Sequence, residues 1–207
     1  RIVVDQDNPN YKSVENCLLS KDGKILYSGC DNSIIPDGVT QIAGSAFYAC
    51  NRLERIIIPD GVQKIGNYAF AECERLIGIT IPDSVLTVGD SAFRNCRRLA
   101  VVTIGNNVTA IEGAAFYGCE SLTGIAIPNS VEKIGYRAFF RCNRLERITI
   151  GGGVLSIGWE AFSACAVPAH LRYIKTRKNW ESVCKGSRRS ALPEHYTVHC
   201  SDGDLIR

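Results

Sequence analysis

The chain has 207 residues, 45% hydrophobic and 22% charged, with 19 Gly and 7 Pro, which excludes wholesale disorder, collagen and low-complexity structure. No apolar run approaches the roughly 18 residues that span a bilayer, and a net charge of +3 is too small to imply specific nucleic-acid binding. Ten Cys and no Met stand out; without Met the chain does not begin at a start codon, so a signal peptide or other leader is expected to have been removed.

In chain order, Ile2-Val3-Val4 reads as a repeat-like strand, so the chain is expected to begin inside a coil with more sequence upstream. Cys17–Ser20 and Lys24–Ser28 flank Asp22-Gly23, which predicts a hairpin with a type I′ turn. From residue 35 a 23-residue period takes over. Ile35, Ile58, Ile81, Ile104, Ile127 and Ile150 share one register, and Phe47, Phe70, Phe93, Phe116, Phe139 and Phe162 share another, each Phe following an Ala. Columns of Cys (Cys50 to Cys165), Leu (Leu53 to Leu145), Val (Val39 to Val154) and Ile/Val (Ile42 to Ile157) keep the same phase without an insertion.

One unit, residues 53–76, gives the local structure. Ile56 and Ile58 alternate about residue 57, which predicts a strand over Arg55–Ile58. Pro59 ends the pairing, Asp60-Gly61 turns the chain, and Gly66 permits a tight bend. Ala69, Phe70 and Cys73 recur at i, i+1 and i+4, the spacing of one face of about two helical turns. Such a coil cannot bury its apolar edge alone, so coils must stack, like side chains lying about 4.8 Å apart. The expected architecture is an α/β solenoid: a right-handed superhelix with a parallel sheet on the concave face, short helices on the convex side and a non-repeat C-terminal cap. Three regions follow: 1–34 as a degenerate repeat with a hairpin insertion, 35–165 as six repeats, and 166–207 as the cap. In the tail the period is expected to lapse. Leu171–Ile174 reads as a strand, Thr176 as the N-cap of a short helix through Trp180 to Cys184, and Tyr196, Val198 and Cys200 as a strand closed by Asp202-Gly203.

The unit Leu-x-x-Ile-x-Ile-Pro-x-x-Val-x-x-Ile-Gly-x-x-Ala-Phe-x-x-Cys resembles the BspA-type leucine-rich repeat of bacterial surface proteins. The resemblance covers residues 35–165 almost completely; the last coil departs from it, reading Ala166-Val167-Pro168 after Cys165. The resemblance implies a non-enzymatic, secreted or surface-attached binding protein, often adhesive toward host or matrix proteins. The hairpin insertion and the tail are also similar to segments of such arrays.

Chemistry-bearing residues are few. The periodic Cys read as a ladder of small buried hydrophobes, with no metal-finger spacing. Cys17 with Cys30, and Cys184 with Cys200, are each either a local disulfide or a pair of free thiols. Cys184 with His195 or His199 has the residue types for nucleophilic catalysis, but no oxyanion hole or third partner is suggested. Gly151-Gly152-Gly153 lacks the Lys-Ser/Thr of a phosphate loop and reads as a turn. No catalytic, cofactor or metal site is expected.

Two surfaces remain. Two residues after the Cys column stand Arg52, Arg75, Arg98, Ser121 and Arg144, a basic rim with Arg55, Arg94, Arg97, Arg137, Arg141 and Arg147 in neighbouring columns, partly neutralised by Glu54, Glu72, Glu74 and Glu146. The outward side of the strands carries Arg55, Ile57, Gly78, Thr80, Val101, Thr103, Gly124, Ala126, Arg147 and Thr149. Curved repeat arrays bind across such a sheet. The candidate contact residues are therefore Arg52, Arg55, Arg75, Thr80, Arg98, Val101, Thr103, Ala126, Arg144, Arg147 and Thr149, and the expected partner is an extracellular protein or an anionic glycan. An inert spacer holding another domain off the surface is the alternative, and the oligomeric state stays open.

Overall fold

A computed structural model describes residues 1–166, 169–185 and 196–206. The chain opens with an antiparallel meander of β1 (Tyr11–Val14), β2 (Cys17–Ser20) and β3 (Ile25–Ser28). The two-residue turn with both residues left-handed lies one hairpin earlier than expected: Val14 pairs with Cys17 across Glu15 (φ 49°) and Asn16 (φ 59°). At Asp22-Gly23 only Gly23 is left-handed, at φ 79°. Gly23 N–H donates to Ser20 O at 2.8 Å, and Asp22 Oδ1 accepts from Ser20 Oγ (2.5 Å) and Lys24 N–H (3.0 Å). The Asp side chain thus holds that turn without a second left-handed residue. Residues 1–5 form no strand, contrary to the expectation for Ile2-Val3-Val4.

β3 pairs in parallel with β4 (Gln41–Ile42), and the meander thereby starts a long ladder of two-residue strands. It continues through β5 (Lys64–Ile65), β7 (Thr87–Val88), β9 (Ala110–Ile111), β11 (Lys133–Ile134) and β13 (Ser156–Ile157), giving a nine-stranded sheet. The expected strand face forms a second ladder on another side of the coil. β6 (Gly78–Ile81) pairs with β8 (Val101–Ile104). β10 (Gly124–Ile127), β12 (Arg147–Ile150), β14 (Ala169–Tyr173) and β15 (Tyr196–Cys200) run parallel, and β16 (Gly203–Ile206) joins β15 antiparallel. Arg55–Ile58 makes no strand: residues 32–35 beside it are not a strand either, so it lacks a partner on that side.

The period outlasts Cys165. β14 pairs with β12 at an offset of 23, placing Leu171 beside Ile148 and Tyr173 beside Ile150, although Ala-Phe-x-x-Cys does not recur.

The Ala-Phe-x-x-Cys segments are turns and not the short helices expected. In the first, alternate N–H groups take different partners. Ser45, Phe47 and Ala49 donate to Asn67, Ala69 and Ala71 of the next coil at 2.9, 2.7 and 2.9 Å, while Ala46, Tyr48 and Cys50 donate three residues back. Left-handed residues (Ser45 and Ala49, Tyr68 and Glu72, Arg137 and Arg141) reset the chain in each such turn. An α-helix would spend those donors internally and leave the coils unlinked. Gly66 serves inter-coil contact as well as a bend: a Cβ there would meet Gly44 N at 2.6 Å.

The columns form the core as expected. The six Phe rings are fully buried and stack at centroid distances of 5.0–5.3 Å with planes within 9°. Beyond the coils, α1 (Arg177–Lys185) lies against β13 and β16. Thr176 caps it as predicted, its Oγ1 accepting from Asn179 N–H at 3.3 Å, and Asp202 Oδ1 accepts from Arg177 N–H at 2.7 Å. Trp180 is buried against Tyr173, ring centroids 5.1 Å apart. Among the described residues no helix is long and apolar enough to cross a membrane.

Candidate binding surface

Strand alternation sends Ile79, Ile81, Ile125, Ile127, Ile148 and Ile150 inward and leaves the intervening positions outward. Register then builds the outward face: Gly78 beside Val101, Thr80 beside Thr103, Gly124 beside Arg147, Ala126 beside Thr149. Thr80, Val101, Thr103, Ala126 and Arg147 are exposed and Thr149 is half-buried. β8 and β10 lie side by side without a hydrogen-bonded ladder between them. Arg55 and the exposed Ile57 precede this face on a segment without strand pairing. The surface is made of short side chains on a rigid ladder, suited to broad contact.

Arg52, Arg75, Arg98 and Arg144 are all exposed at one coil position. The neutralisation expected there is partial. Arg75 Nη1 stands 4.0 Å from Glu54 Oε1 and Arg97 Nη1 3.8 Å from Glu74 Oε1, and all four side chains are about half exposed, where such contacts are weak. Glu72 instead accepts from Asn95 Nδ2 at 2.7 Å. Arg52, Arg98 and Arg144 have no ion pair among the described residues.

Arg94, Arg137 and Arg141, read as neighbours of the rim, instead stand over aromatic rings on the turn side of the coils. Tyr136 stacks on Trp159 at 5.4 Å and Tyr117 on Phe140 at 5.3 Å. The Arg137 guanidinium lies 4.8 Å from the Tyr136 ring, 5.0 Å from Phe140 and 5.3 Å from Trp159, and Nε donates to Glu160. Both aromatic pairs are 23 apart, the signal by which the period already predicts their contact. The outward face also continues past the repeats, where His170 and Arg172 on β14 stand in register with Arg147 and Thr149.

The periodic thiols do more than fill space. Cys73, Cys96, Cys119, Cys142 and Cys165 each donate from Sγ to a Phe carbonyl of the preceding coil at 3.1–3.3 Å. Burial, then the neighbouring Cys50 thiol, pushes Cys73 up to about 12, and burial holds Cys96, Cys119 and Cys142 well above the ordinary thiol range. A thiolate nucleophile is suppressed along this column. Cys17 and Cys30 are free thiols bracketing Ser33, whose Oγ lies 3.7 Å from Cys30 Sγ, and Cys200 is free. The Cys184 side chain and His195, named as a catalytic pairing, lie outside the described residues; His199 faces Asp204 on the sheet, Nδ1 to Oδ1 3.0 Å.

Residues 26–123 match the family model described as the BspA type leucine rich repeat region, in six copies. These coils are BspA-type leucine-rich repeats. No curated protein sequence matches the chain. Solved leucine-rich-repeat structures do. One from Eubacterium ventriosum is 23% identical, with a TM-score of 0.74 over 99% of this chain and 57% of its own. The leucine rich repeat protein of T. pallidum is 26% identical, with a TM-score of 0.54 over 83% of this chain and 73% of its own. A leucine rich cell surface protein from Faecalibacterium prausnitzii is 25% identical, with a TM-score of 0.50 over 82% of this chain and 72% of its own. This chain thus spans just over half the length of the Eubacterium protein, 57%.

Proposed function

We propose that the chain is a non-enzymatic, secreted or cell-surface interaction module. It presents the outward strand face and the adjoining arginine rim to an extracellular protein or an anionic glycan. In this reading the strand face is the concave side of a right-handed superhelix, residues 35–165 are the binding array and 166–207 cap it. The observation that carries the reading is the strand face itself, a registered array of exposed short side chains held by a fully buried core. The surface assignment draws on the leucine-rich-repeat family and on the cell-surface description of the Faecalibacterium protein. The partial pairing of the rim through Glu54 and Glu74 favours a second reading, a spacer that holds another domain away from the cell.

The test is binding to a panel of matrix proteins and to heparin. It is repeated with Val101→Glu and Thr103→Glu on the strand face, and with Arg52, Arg75, Arg98 and Arg144 changed to Glu on the rim. Loss of a measured affinity on either surface supports the module; no binding by a fully folded chain overturns it and supports the spacer.

A further inference from the structure

The last strands carry a cluster that the repeats do not. Pairing of β12 with β14 sets Arg147 beside His170 and Thr149 beside Arg172; pairing of β14 with β15 sets His170 beside Thr197 and Arg172 beside His199. The residues between them, Ile148, Leu171 and Val198, are buried, so all six of these side chains share the outward face. Arg147, His170, Arg172 and His199 are exposed, and the hydroxyl residues Thr149 and Thr197 are half-buried among them. The imidazoles of His170 and His199 lie 6.2 Å apart with planes within 15°.

The charge around this cluster is basic except at Asp204. Facing His170 are Arg147 and Thr149 from β12, Thr197 and His199 from β15, and Arg172 on its own strand. Facing His199 are His170 and Arg172 from β14, and Asp204 with Ile206 from β16. Asp204 pairs with His199. Asp202, at the turn before β16, pairs with Arg177 of α1, Nε to Oδ2 3.7 Å. Arg147, His170 and Arg172 have no acidic partner among the described residues. Like charges on adjacent strands repel, so the arrangement holds uncompensated cation density.

We infer that the outward face of β12, β14 and β15 is an anion-recognition site for a sulfated polysaccharide, and that it binds more tightly in acid. This rests on the reading of the strand face as the binding surface. The array is flat, its cations stepping by about one strand spacing of 4.8 Å, which suits a chain of repeated anions. Arginine forks match the oxygens of a sulfate, and the hydroxyls add donors. A protein partner would want an apolar anchor at the centre; the exposed apolar residues here are at the margin, Ile206 on the edge strand beyond Thr197 and Ile174 just past the end of β14. Imidazole gains charge as pH falls from about 8 to 5, where a sulfate keeps its own and carboxylates begin to lose theirs. A carboxylate polymer is therefore matched less well.

The probe is heparin, with desulfated heparin and polyglutamate as comparators, titrated at pH 7.5 and 5.5 against the full chain. Arg147→Gln with Arg172→Gln weakens heparin binding about tenfold or more, from the loss of two charge-assisted contacts. Wild-type affinity rises several-fold on acidification, and His170→Asn with His199→Asn abolishes the rise. All four positions are on the surface, and an unchanged melting curve shows each variant folded. Undiminished binding by the arginine variant, or a pH response that survives loss of both histidines, overturns the inference. So does equal binding of desulfated heparin or polyglutamate. Absence of heparin binding together with binding to a matrix protein sinks this site alone and leaves the module; absence of both sinks the module too.

Discussion

The Cys119 thiol donates to the Phe93 carbonyl of the preceding coil at 3.3 Å, and the same oxygen accepts Cys96 N–H, also at 3.3 Å. The column of sulfurs thus ties each coil to the one before. Cys119→Ala should cost about 1–2 kcal/mol, from a small void and a lost donor, and Cys119→Ser about half of that because a donor remains. Urea unfolding checks the order. Alanine proving the milder change would reduce the thiol to an apolar filler.

Buried thiols also set a pH dependence. Cys73 and Cys165 are pushed up to about 12, mainly by burial, whereas an unfolded thiol ionises near 8.5. Between those values the folded chain keeps protons that the unfolded chain has released. The stability due to these thiols is therefore complete below about pH 8.5 and is lost as pH rises toward 12. The slope is about 1.4 kcal/mol per pH unit for each such thiol. Melting temperatures that stayed level from pH 9 to 11 would contradict this.

The phenylalanine ladder predicts a position effect. Phe116 has stacked rings on both sides, Phe93 at 5.3 Å and Phe139 at 5.2 Å, whereas Phe162 has Phe139 on one side at 5.1 Å. Phe116→Leu should cost about 0.5–1.5 kcal/mol more than Phe162→Leu, the worth of one aromatic pair. Equal costs in denaturant titrations would mean that burial alone sets the energy.

Arg137 is sandwiched by Tyr136, Phe140 and Trp159 and bonded to Glu160. Arg137→Lys keeps the charge and loses the planar stack, so the melting temperature should fall, and fall further for Arg137→Ala. The emission of Trp159 should shift with both. An unchanged spectrum would remove the contact.

The buried columns could be read from spacing alone, because a 23-residue step makes neighbours of identical side chains. Backbone conformation could not. The i, i+1, i+4 spacing of Ala69, Phe70 and Cys73 fits a helix as well as a turn, and what decides is where the N–H groups bond. Tyr68 and Arg137 adopt left-handed φ because inter-coil bonding demands it, not because their side chains favour it. Glu15-Asn16 lacks the glycine that marks a type I′ turn, so the conspicuous Asp22-Gly23 drew that assignment instead. For the surface, Arg147 beside His170 follows from the period, but β15 pairs with β14 at an offset of 27, which no repeat announces. The cluster around His199 is therefore visible only in three dimensions.

The bonds from Phe47 to Ala69, Phe70 to Ala92 and Phe93 to Ala115 all run from one coil to the next. Drawn apart by its two ends, such a molecule should peel from a terminus one layer at a time. Each rupture would release 23 residues, an extension of about 80 Å. A single-molecule stretching trace should be a saw-tooth of even teeth, so that a tethered protein of this build would act as a shock absorber and yield in instalments under load.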